Sequence, residues 1–339
     1  MACITLAQLT QIITPLAHRR GDDLAAAVVE RTGITSRRAR ALLSELVALG
    51  WLVCEGSPRR PRYRAGPLRQ VVRQYALQGL AEDRAWAHDF APHFDTLPAE
   101  VRRMAQHAFT ELLNNAVDHS GGAWVTATLR QTATQMQLLL SDDGLGLFDK
   151  IAADFEIDDA QLAMFELGKG KLTSAPTRHT GRGLYFTARL ADVFDLHANA
   201  NAFQRRDWEP GGWRAARALL RRGTSIYLAI ALDTPRTLDG VMRSASADGA
   251  GYGFERTQVP LGLLAGATGV LESRAQARRV GARLAQFQHV ELDFSGVIDV
   301  GHAFADELFR VIPLQQHLLN LRPLNAPPRV AALIASVRV

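Results

Sequence analysis

The stretch from His107 to Ser120, HAFTELLNNAVDHS, places the tightest constraint on how this chain can fold. At helical spacing its apolar side chains fall on one stripe, which is typical of a helix packed against a core. The stripe consists of Phe109, Leu112, Leu113, Ala116 and Val117. The opposite face carries Glu111, Asn115, Asp118 and His119, and a stop follows at Gly121-Gly122. Any amphipathic helix has such a pattern, so the meaning of the polar face depends on motifs farther along the chain.

The composition is that of a globular chain with a basic excess. The 339 residues are 47% hydrophobic and carry a formal net charge of +5, which fits two or three domains and favours acidic partners. Cys3 and Cys54 form no metal-binding or disulfide pattern, as is typical of a reducing compartment. No apolar run has membrane-spanning length, and the N-terminal residues lack the order of a signal peptide. We therefore expect a cytoplasmic protein with no membrane partner.

Lysine is rare in this chain and unevenly placed. Nearly all basic residues are arginine, and lysine occurs only at Lys150, Lys169 and Lys171. Two of these three stand in one tetrapeptide, Gly168-Lys169-Gly170-Lys171. A compact ammonium beside flexible backbone is suited to phosphate binding.

Residues 1–66 have the pattern of a winged helix-turn-helix, in which two helices are followed by a hairpin. Asp22-Asp23 predicts the cap of a helix from Leu24 to Arg31, and Thr35 or Ser36 caps a second helix that ends at Gly50. A strand from Trp51 to Cys54 then leads through a turn into the basic run RRPRYR. The segment contains ten arginines against five acidic residues, so it is the most basic part of the chain.

The arginines of this module fall where DNA-binding modules of this kind meet DNA. Three stand at the start of the second helix and three in the hairpin: Arg37, Arg38, Arg40, Arg59, Arg60 and Arg62. We therefore expect residues 1–66 to bind DNA. The alternative is that the module makes only protein contacts or mediates dimerisation.

Residues 67–100 are predicted to form helical segments in which Trp86, Phe90 and Phe94 pack. A sensor histidine kinase needs a long two-helix hairpin with a phosphoacceptor histidine before its ATP domain. Only short helices are predicted here, and neither His88 nor His93 has a convincing phosphoacceptor setting. This part of the sequence therefore argues against a sensor kinase.

Two glycine motifs follow the opening helix. Strands are predicted from Ala123 to Arg130 and from Gln135 to Leu140, and the second leads into SDDGLGL, residues 141–147. A carboxylate at the end of a buried strand, followed by alternate glycines, suits a nucleotide pocket, although Asp-Gly is also a common turn signal. A helical segment from Phe148 to Gly168 follows. The glycines of Thr180–Tyr185 then begin another helix, where backbone N–H groups can face phosphates.

In this order the motifs resemble those of the GHKL ATPase superfamily, which includes gyrase, histidine kinases and anti-sigma factor kinases. The resemblance spans about residues 95–232. The N box is matched by ELLNNAVDH (111–119), the first glycine box by DDGLG (142–146), the second by GRG (181–183), and the terminal motif by Gly223-Thr224.

The resemblance implies a role for each matching residue. Asn115 would bind Mg²⁺ through its amide oxygen, and Glu111 would orient or deprotonate the attacking water or hydroxyl. Asp142 would accept a hydrogen bond from the adenine amine, and Thr224 would line the adenine pocket. Backbone around the triphosphate would come from Gly144, Gly146, Gly181 and Gly183. The loop from about Gly168 to Arg182 would be the ATP lid, with Lys169 and Lys171 as candidates for contact with the γ-phosphate.

The last hundred residues alternate between strands and helices after a linker rich in Gly, Ser, Ala and Asp. Strands are expected near Thr257–Leu261 and Val290–Phe294, and helices at Ser273–Phe287 and Ala303–Val311, with a further strand and helix around 327–337. The order resembles a STAS-like domain. STAS antagonists carry a phosphoacceptor serine at the start of the helix after the second core strand. Here that stretch reads IDVGHA (298–303), which favours docking or signal coupling over phosphorylation.

The sequence thus predicts a multidomain α/β chain. A winged helix (1–66), a helical linker (67–100), a GHKL α/β sandwich with a mixed sheet (101–232), a linker (233–253) and a STAS-like domain (254–339) follow one another. We expect a regulator in which binding of Mg-ATP switches the DNA-binding winged helix and the STAS-like interaction domain, slow hydrolysis resets the switch, and a protein partner engages the STAS-like domain. Homodimerisation is expected by analogy. The alternatives are a protein serine kinase of the anti-sigma factor type and a stress or phage-defence effector.

Overall fold

The computed structural model describes residues 4–157, 159–173 and 180–338. The chain divides into two compact units. The first contains Met1–Gly144 and Ser225–Pro235, and the second contains Leu145–Thr224 and Arg236–Val339. Two of the three chain boundaries between the units, after Gly144 and after Thr224, fall inside the expected ATPase region, so its motifs are divided between the units.

The first unit begins with three helices and a hairpin. These are α1 (Leu6–Arg20), α2 (Leu24–Thr32), α3 (Ser36–Ala48), β1 (Leu52–Ser57) and β2 (Arg60–Ala65). The two predicted helices and the hairpin are confirmed, whereas α1 was not predicted. Its start is marked by a capping box in which the side chains of Thr5 and Gln8 each bond the other's backbone N–H.

The core of this module is formed by side chains of its three helices and of the start of the hairpin. The buried residues include Leu9, Ile13, Leu24, Val28, Leu42, Leu43, Leu46 and Trp51. The Thr35 hydroxyl caps α3 by accepting a hydrogen bond from the N–H of Arg38, as predicted. The cap predicted at Asp22-Asp23 is wrong, because the Asp23 carboxylate pairs with the Arg20 guanidinium and makes no capping hydrogen bond.

An antiparallel sheet follows in the first unit. It contains β3 (Arg69–Ala76), β4 (Trp124–Gln131), β5 (Gln135–Asp142) and the part of β9 (Arg221–Ala231) that lies in this unit, in the order β3-β4-β5-β9. The strands β4 and β5 confirm the prediction. Residues 67–100 were expected to be helical, and this expectation is wrong for residues 69–76, since β3 pairs with β4 along its whole length. Only Val71 of this strand is fully buried, so its sequence has little of the alternation that indicates a strand.

Helices cover this sheet within the first unit. After α4 (Glu82–Ala85) comes a π-helical turn at Trp86–Phe90, and then α5 (Ala99–His119), which contains the opening motif. The rings of Trp86 and Phe90 lie 5.4 and 4.8 Å from the ring of Phe109. The packing expected for these aromatic side chains is therefore confirmed.

The second unit contains all remaining elements. They are α6 (Leu147–Phe155), α7 (Ala160–Lys169), α8 (Gly183–Leu190), β6 (Val193–Asn199), β7 (Asn201–Arg206), β8 (Trp213–Ala215), α9 (Leu238–Arg243), β10 (Arg256–Pro260), α10 (Leu261–Ala265), β11 (Val270–Leu271), α11 (Arg274–Gly281), β12 (His289–Asp293), β13 (Asp299–Val300), α12 (His302–Asp306), α13 (Ile312–Gln315), β14 (Asn320–Leu324) and α14 (Pro328–Val337). The antiparallel strands β6, β7 and β8 are consecutive neighbours.

The C-terminal part has the predicted α/β alternation. Three parallel strands pair in the order β10-β12-β14, with Pro260, Asp293 and Leu324 aligned at their carboxyl ends. The strands expected near residues 257–261 and 290–294 are confirmed. The helix expected from Ser273 to Phe287 is shorter, because α11 ends at Gly281 and Arg283 takes a left-handed conformation with φ 64°.

Candidate nucleotide-binding site

The helix α5 buries its apolar stripe and leaves its polar face accessible. Phe109, Leu112 and Leu113 are at most 1% exposed. Glu111 and Asn115 lie one turn apart on the opposite face and are both half-buried. Carboxylate and amide oxygens so placed can face a ligand at the helix surface.

Asp142 is the last residue of β5 and is only 4% exposed. Its Oδ1 accepts a hydrogen bond from the N–H of Gly144 at 2.9 Å. A carboxylate in such a setting is already desolvated, so a hydrogen bond from a ligand amine costs it little further solvation. This placement agrees with the adenine-recognition role that the resemblance implies.

Gly144 brings the turn after β5 against the end of α5. A Cβ atom at this position would lie 2.2 Å from the carbonyl oxygen of Ser120. The Ser120 hydroxyl donates to the carbonyl of Ala116 at 2.6 Å and accepts from the N–H of Gly122 at 3.0 Å. The end of the N-box helix and the first glycine box therefore touch through backbone, and only glycine fits at the contact.

The neighbouring carboxylate has a structural role that the sequence did not indicate. Asp143 Oδ1 accepts hydrogen bonds from the N–H groups of Ala123 and Trp124 at 2.8 and 2.9 Å. These bonds join the start of β4 to the turn after β5. The two adjacent aspartates thus do different work, Asp142 at the buried strand end and Asp143 at the turn.

In the second unit, Asn199 connects the other half of the first glycine box to the terminal motif. Its Nδ2 donates to the carbonyl of Leu145 and to the carboxylate of Asp149, both at 2.7 Å. Its Oδ1 accepts from the N–H of Gly223 at 3.0 Å. Sequence reasoning missed Asn199; the available signal was Asn199-Ala200-Asn201, a tight turn in which Asn199 has φ 52°.

Thr224 lies beside the same loop. Its hydroxyl accepts a hydrogen bond at 3.1 Å from the N–H of Leu147, which follows Gly146 at the start of α6. The second unit therefore brings Gly146 and Thr224 together, as the motif order implies.

The second glycine box opens α8. Gly183 is the first residue of that helix, and Gly181 has φ 63°. A Cβ atom on Gly181 would lie 2.6 Å from the carbonyl oxygen of Leu172, and the Gly181 carbonyl accepts from the N–H of Lys171 at 2.9 Å. The two ends of the expected lid thus meet through backbone. Residues 174–179 of that lid lie outside the described residues.

The two lysines do not lie where γ-phosphate contacts were expected. The Lys169 side chain is fully buried, and its ammonium contacts the carboxylate of Glu166 at 2.6 Å. The Lys171 ammonium donates to the carbonyl of Gln286 at 2.6 Å and lies 4.4 Å from the ring centre of Phe287. Both ammonium groups therefore face the C-terminal part of the second unit. We correct the assignment accordingly and remove both lysines from the candidate phosphate ligands.

The candidate DNA-binding arginines are all exposed. Arg37, Arg38 and Arg40 lie in the first turn and a half of α3. Arg59 and Arg60 stand at the tip of the β1–β2 hairpin, and Arg62 forms an exposed ion pair with Asp22 at 2.9 Å. Two groups of guanidinium side chains are thus available on one small module.

The helix that would carry a STAS phosphoacceptor begins without one. The N-cap of α12 is Gly301, and no side-chain hydrogen bond caps this helix. The expectation that this part of the chain is not phosphorylated in the manner of STAS antagonists stays a prediction.

Two family models match the chain. The histidine kinase-like ATPase domain matches residues 69–203, and a STAS-like domain of unknown function matches residues 276–322. The first match begins at β3, and the boundary at residue 101 stays a prediction. A search of curated proteins found no match. Among the described residues, no helix is both long and apolar enough to cross a membrane.

Proposed function

We propose that this chain is an ATP-binding regulator in which an ATPase-like region controls an N-terminal DNA-binding module and a C-terminal STAS-like interaction region. The observation that carries the proposal is the contact of Gly144 with the end of α5, with Asp142 buried beside it. The match of residues 69–203 to the histidine kinase-like ATPase domain supports the same function.

The described residues fit Mg-ATP in their chemistry. Asn115 offers an amide oxygen of the kind that a hard cation prefers, on the accessible face of α5. Asp142 offers a desolvated acceptor for the exocyclic amine of adenine. When bound, Mg²⁺ would neutralise phosphate charge.

The remaining motif residues suit the nucleotide's phosphates and the reaction. Gly181 and Gly183 expose backbone at the start of α8, where N–H groups and the helix dipole favour anions. Glu111 lies one turn before Asn115 on the same face of α5, so its carboxylate can accept the proton of an attacking water.

Binding and turnover can be separated with two variants on α5. We expect Asn115→Ala to abolish Mg²⁺-dependent binding of ATP and Glu111→Ala to preserve binding while stopping turnover, as measured by titration calorimetry and phosphate release. Gln106→Ala, at an exposed position on the same helix before the N box, is the matched control and should bind ATP normally. The proposal fails if the unmodified protein does not bind ATP.

The same protein distinguishes an ATPase from a protein kinase. With γ-labelled ATP, release of free phosphate supports hydrolysis, whereas label transferred to a second protein supports the serine-kinase alternative. Label on the chain itself at residues 298–303 is not expected, because Gly301 and His302 stand where a STAS phosphoacceptor would.

DNA binding by residues 1–66 is the second part of the proposal. The exposed arginines of α3 and of the hairpin offer two sets of phosphate or base contacts. Each phosphate contact that is lost should lower the slope of log affinity against log salt by about one. The triple variant Arg37→Glu/Arg38→Glu/Arg40→Glu should therefore lose most of its affinity for random duplex DNA and much of its salt dependence.

A matched control tests whether net charge alone explains that result. Arg84, Arg102 and Arg217 are exposed arginines outside the module, and reversing their charges changes the total by the same amount. We expect this second triple variant to retain most of the DNA affinity. If the two triple variants bind DNA equally, the module is a protein-contact element instead.

A further inference from the structure

The residues that lead into the second glycine box are held by the C-terminal part of the second unit. Lys169, the last residue of α7, is fully buried. Its ammonium donates to the Glu166 carboxylate at 2.6 Å, and to the carbonyl oxygens of Arg279 and Ala282 at 2.9 and 3.1 Å. These two carbonyls are at the end of α11, where the helix dipole favours a cation.

A second cation from the C-terminal part completes the arrangement. The guanidinium of Arg283 pairs with the other oxygen of Glu166 at 2.8 Å and donates to the carbonyl of Gly170 at 2.9 Å. In addition, the hydroxyl of Thr257 donates to the carbonyl of Lys169 at 2.6 Å. The backbone carbonyls of residues 169 and 170 are therefore held by two side chains of the C-terminal part, Thr257 and Arg283.

Lys171 links the C-terminal part of the second unit to the second glycine box. Its side chain donates to the carbonyl of Gln286, while its backbone N–H donates to the carbonyl of Gly181 at 2.9 Å. Gly181 packs so closely on Leu172 that no Cβ atom fits between them. A displacement of residues 169–171 would therefore be passed to Gly181 by direct backbone contact.

We propose that Glu166, Lys169 and Arg283, here called the clamp, are positioning residues that set the phosphate affinity of the second glycine box from the STAS-like region. This inference rests on the proposed function, since it assigns a regulator to the same nucleotide site. It also gives the tetrapeptide GKGK a function other than phosphate binding.

The burial of the clamp makes it cooperative. Burial lowers the pKa of Lys169 to about 8, while the Glu166 carboxylate acts in the opposite direction. Removing one member of a buried charge network leaves its partners desolvated and unpaired, so the network is either complete or disrupted. By linkage, if the clamp raises ATP affinity, ATP binding must tighten the clamp by the same factor.

The test separates phosphate affinity from adenine affinity. The test variant Arg283→Met removes one cation of the clamp. The control variant Arg279→Met removes an exposed arginine side chain and keeps the backbone carbonyl of residue 279, which accepts the hydrogen bond from Lys169. Affinities for ATP and for adenosine are measured by displacement of a fluorescent ATP analogue. We expect ATP affinity to fall at least fivefold in Arg283→Met, with adenosine affinity unchanged and Arg279→Met like the unmodified protein.

Hydrogen exchange provides the reciprocal measurement on the unmodified protein. ATP should slow amide exchange at residues 279–287 at least fivefold if the coupling is real. Unchanged ATP affinity in Arg283→Met overturns the clamp and leaves the proposed function intact. An equal loss of ATP and adenosine affinity also overturns it, because it indicates only general damage. If the unmodified protein binds no ATP, both proposals fall.

Discussion

Replacement of Gly144 by alanine tests the contact on which the proposed nucleotide site depends. The added Cβ would lie 2.2 Å from the carbonyl oxygen of Ser120 and 2.7 Å from its carbonyl carbon and Cβ. These are backbone or near-backbone atoms at the end of α5 and cannot rotate away. The turn after β5 must therefore move by about an ångström relative to the helix end, a shift comparable with those caused by overpacking in protein cores.

The shift is expected to lower both the stability of the first unit and its affinity for ATP. Overpacking of this kind destabilises by roughly 1–3 kcal/mol, and each kcal/mol corresponds to a fall of about 2–4 °C in Tm for a unit of this size. The shift also disturbs the hydrogen bond from Gly144 N–H to Asp142 Oδ1. Because small displacements of a binding group are expensive, we expect ATP affinity to fall by about tenfold or more.

Thermal unfolding and ATP titration of the Gly144→Ala protein measure the two effects. Gly251→Ala is the control, because a Cβ on Gly251 meets no atom closer than 3.7 Å. That substitution should leave both Tm and ATP affinity close to those of the unmodified protein. If Gly144→Ala behaved like Gly251→Ala in both assays, the close approach of the glycine box to α5 would be refuted.

Two further predictions concern the second unit. Asn199→Ala removes three hydrogen bonds that join Leu145, Asp149 and Gly223. We therefore expect the free energy of unfolding in denaturant to fall by roughly 1–3 kcal/mol and ATP to bind more weakly. A variant as stable as the unmodified protein would contradict the bridging role. Burial lowers the pKa of Lys169 to about 8 from an ordinary 10.5, so between these values the unfolded chain binds more protons than the folded one. The free energy of unfolding should therefore rise with pH from about 8 to 10.5 by on the order of 1 kcal/mol per pH unit. This rise should be absent in Lys169→Met, and an equal rise in both proteins would exclude Lys169 as its source.

The elements α5, β4 and β5, which the sequence predicted, share one property, a long stripe or alternation of apolar residues on a single buried face. The helix α5 has eight buried residues over six turns, and the alternating burial of β4 and β5 is regular from end to end. The strand β3 was missed because its neighbours cover only Val71 completely. Its partners are supplied by β4, 48 to 62 residues away, and such pairing leaves little trace in a local pattern.

The residues of the candidate site also divide into those that a local sequence pattern indicates and those that it does not. The candidates Glu111, Asn115, Asp142 and the paired glycines could be found from sequence because each belongs to a short local motif, within α5 for the first two and beside an element end for the others. Asn199 could not, since its partners are 24 to 54 residues away. An asparagine in a tight turn between two strands is usually explained by its own backbone conformation, and nothing nearby indicates the loops that its side chain joins.

Lys169 shows why the chemistry of a short motif does not determine its function. An ammonium flanked by glycines suits an anion, and that anion can be a phosphate or a buried carboxylate. Residues far along the chain decide that the partner is a carboxylate. The carbonyl of Ala282, 113 residues after Lys169, accepts a hydrogen bond from the ammonium, and Arg283 pairs with the same Glu166 carboxylate. Once Glu166 is within 2.6 Å and the side chain has no exposed surface, phosphate binding would require exposure of the ammonium and loss of the Glu166 pair. A contact with the STAS-like region is therefore the role that this lysine can perform without disrupting the packed unit around it.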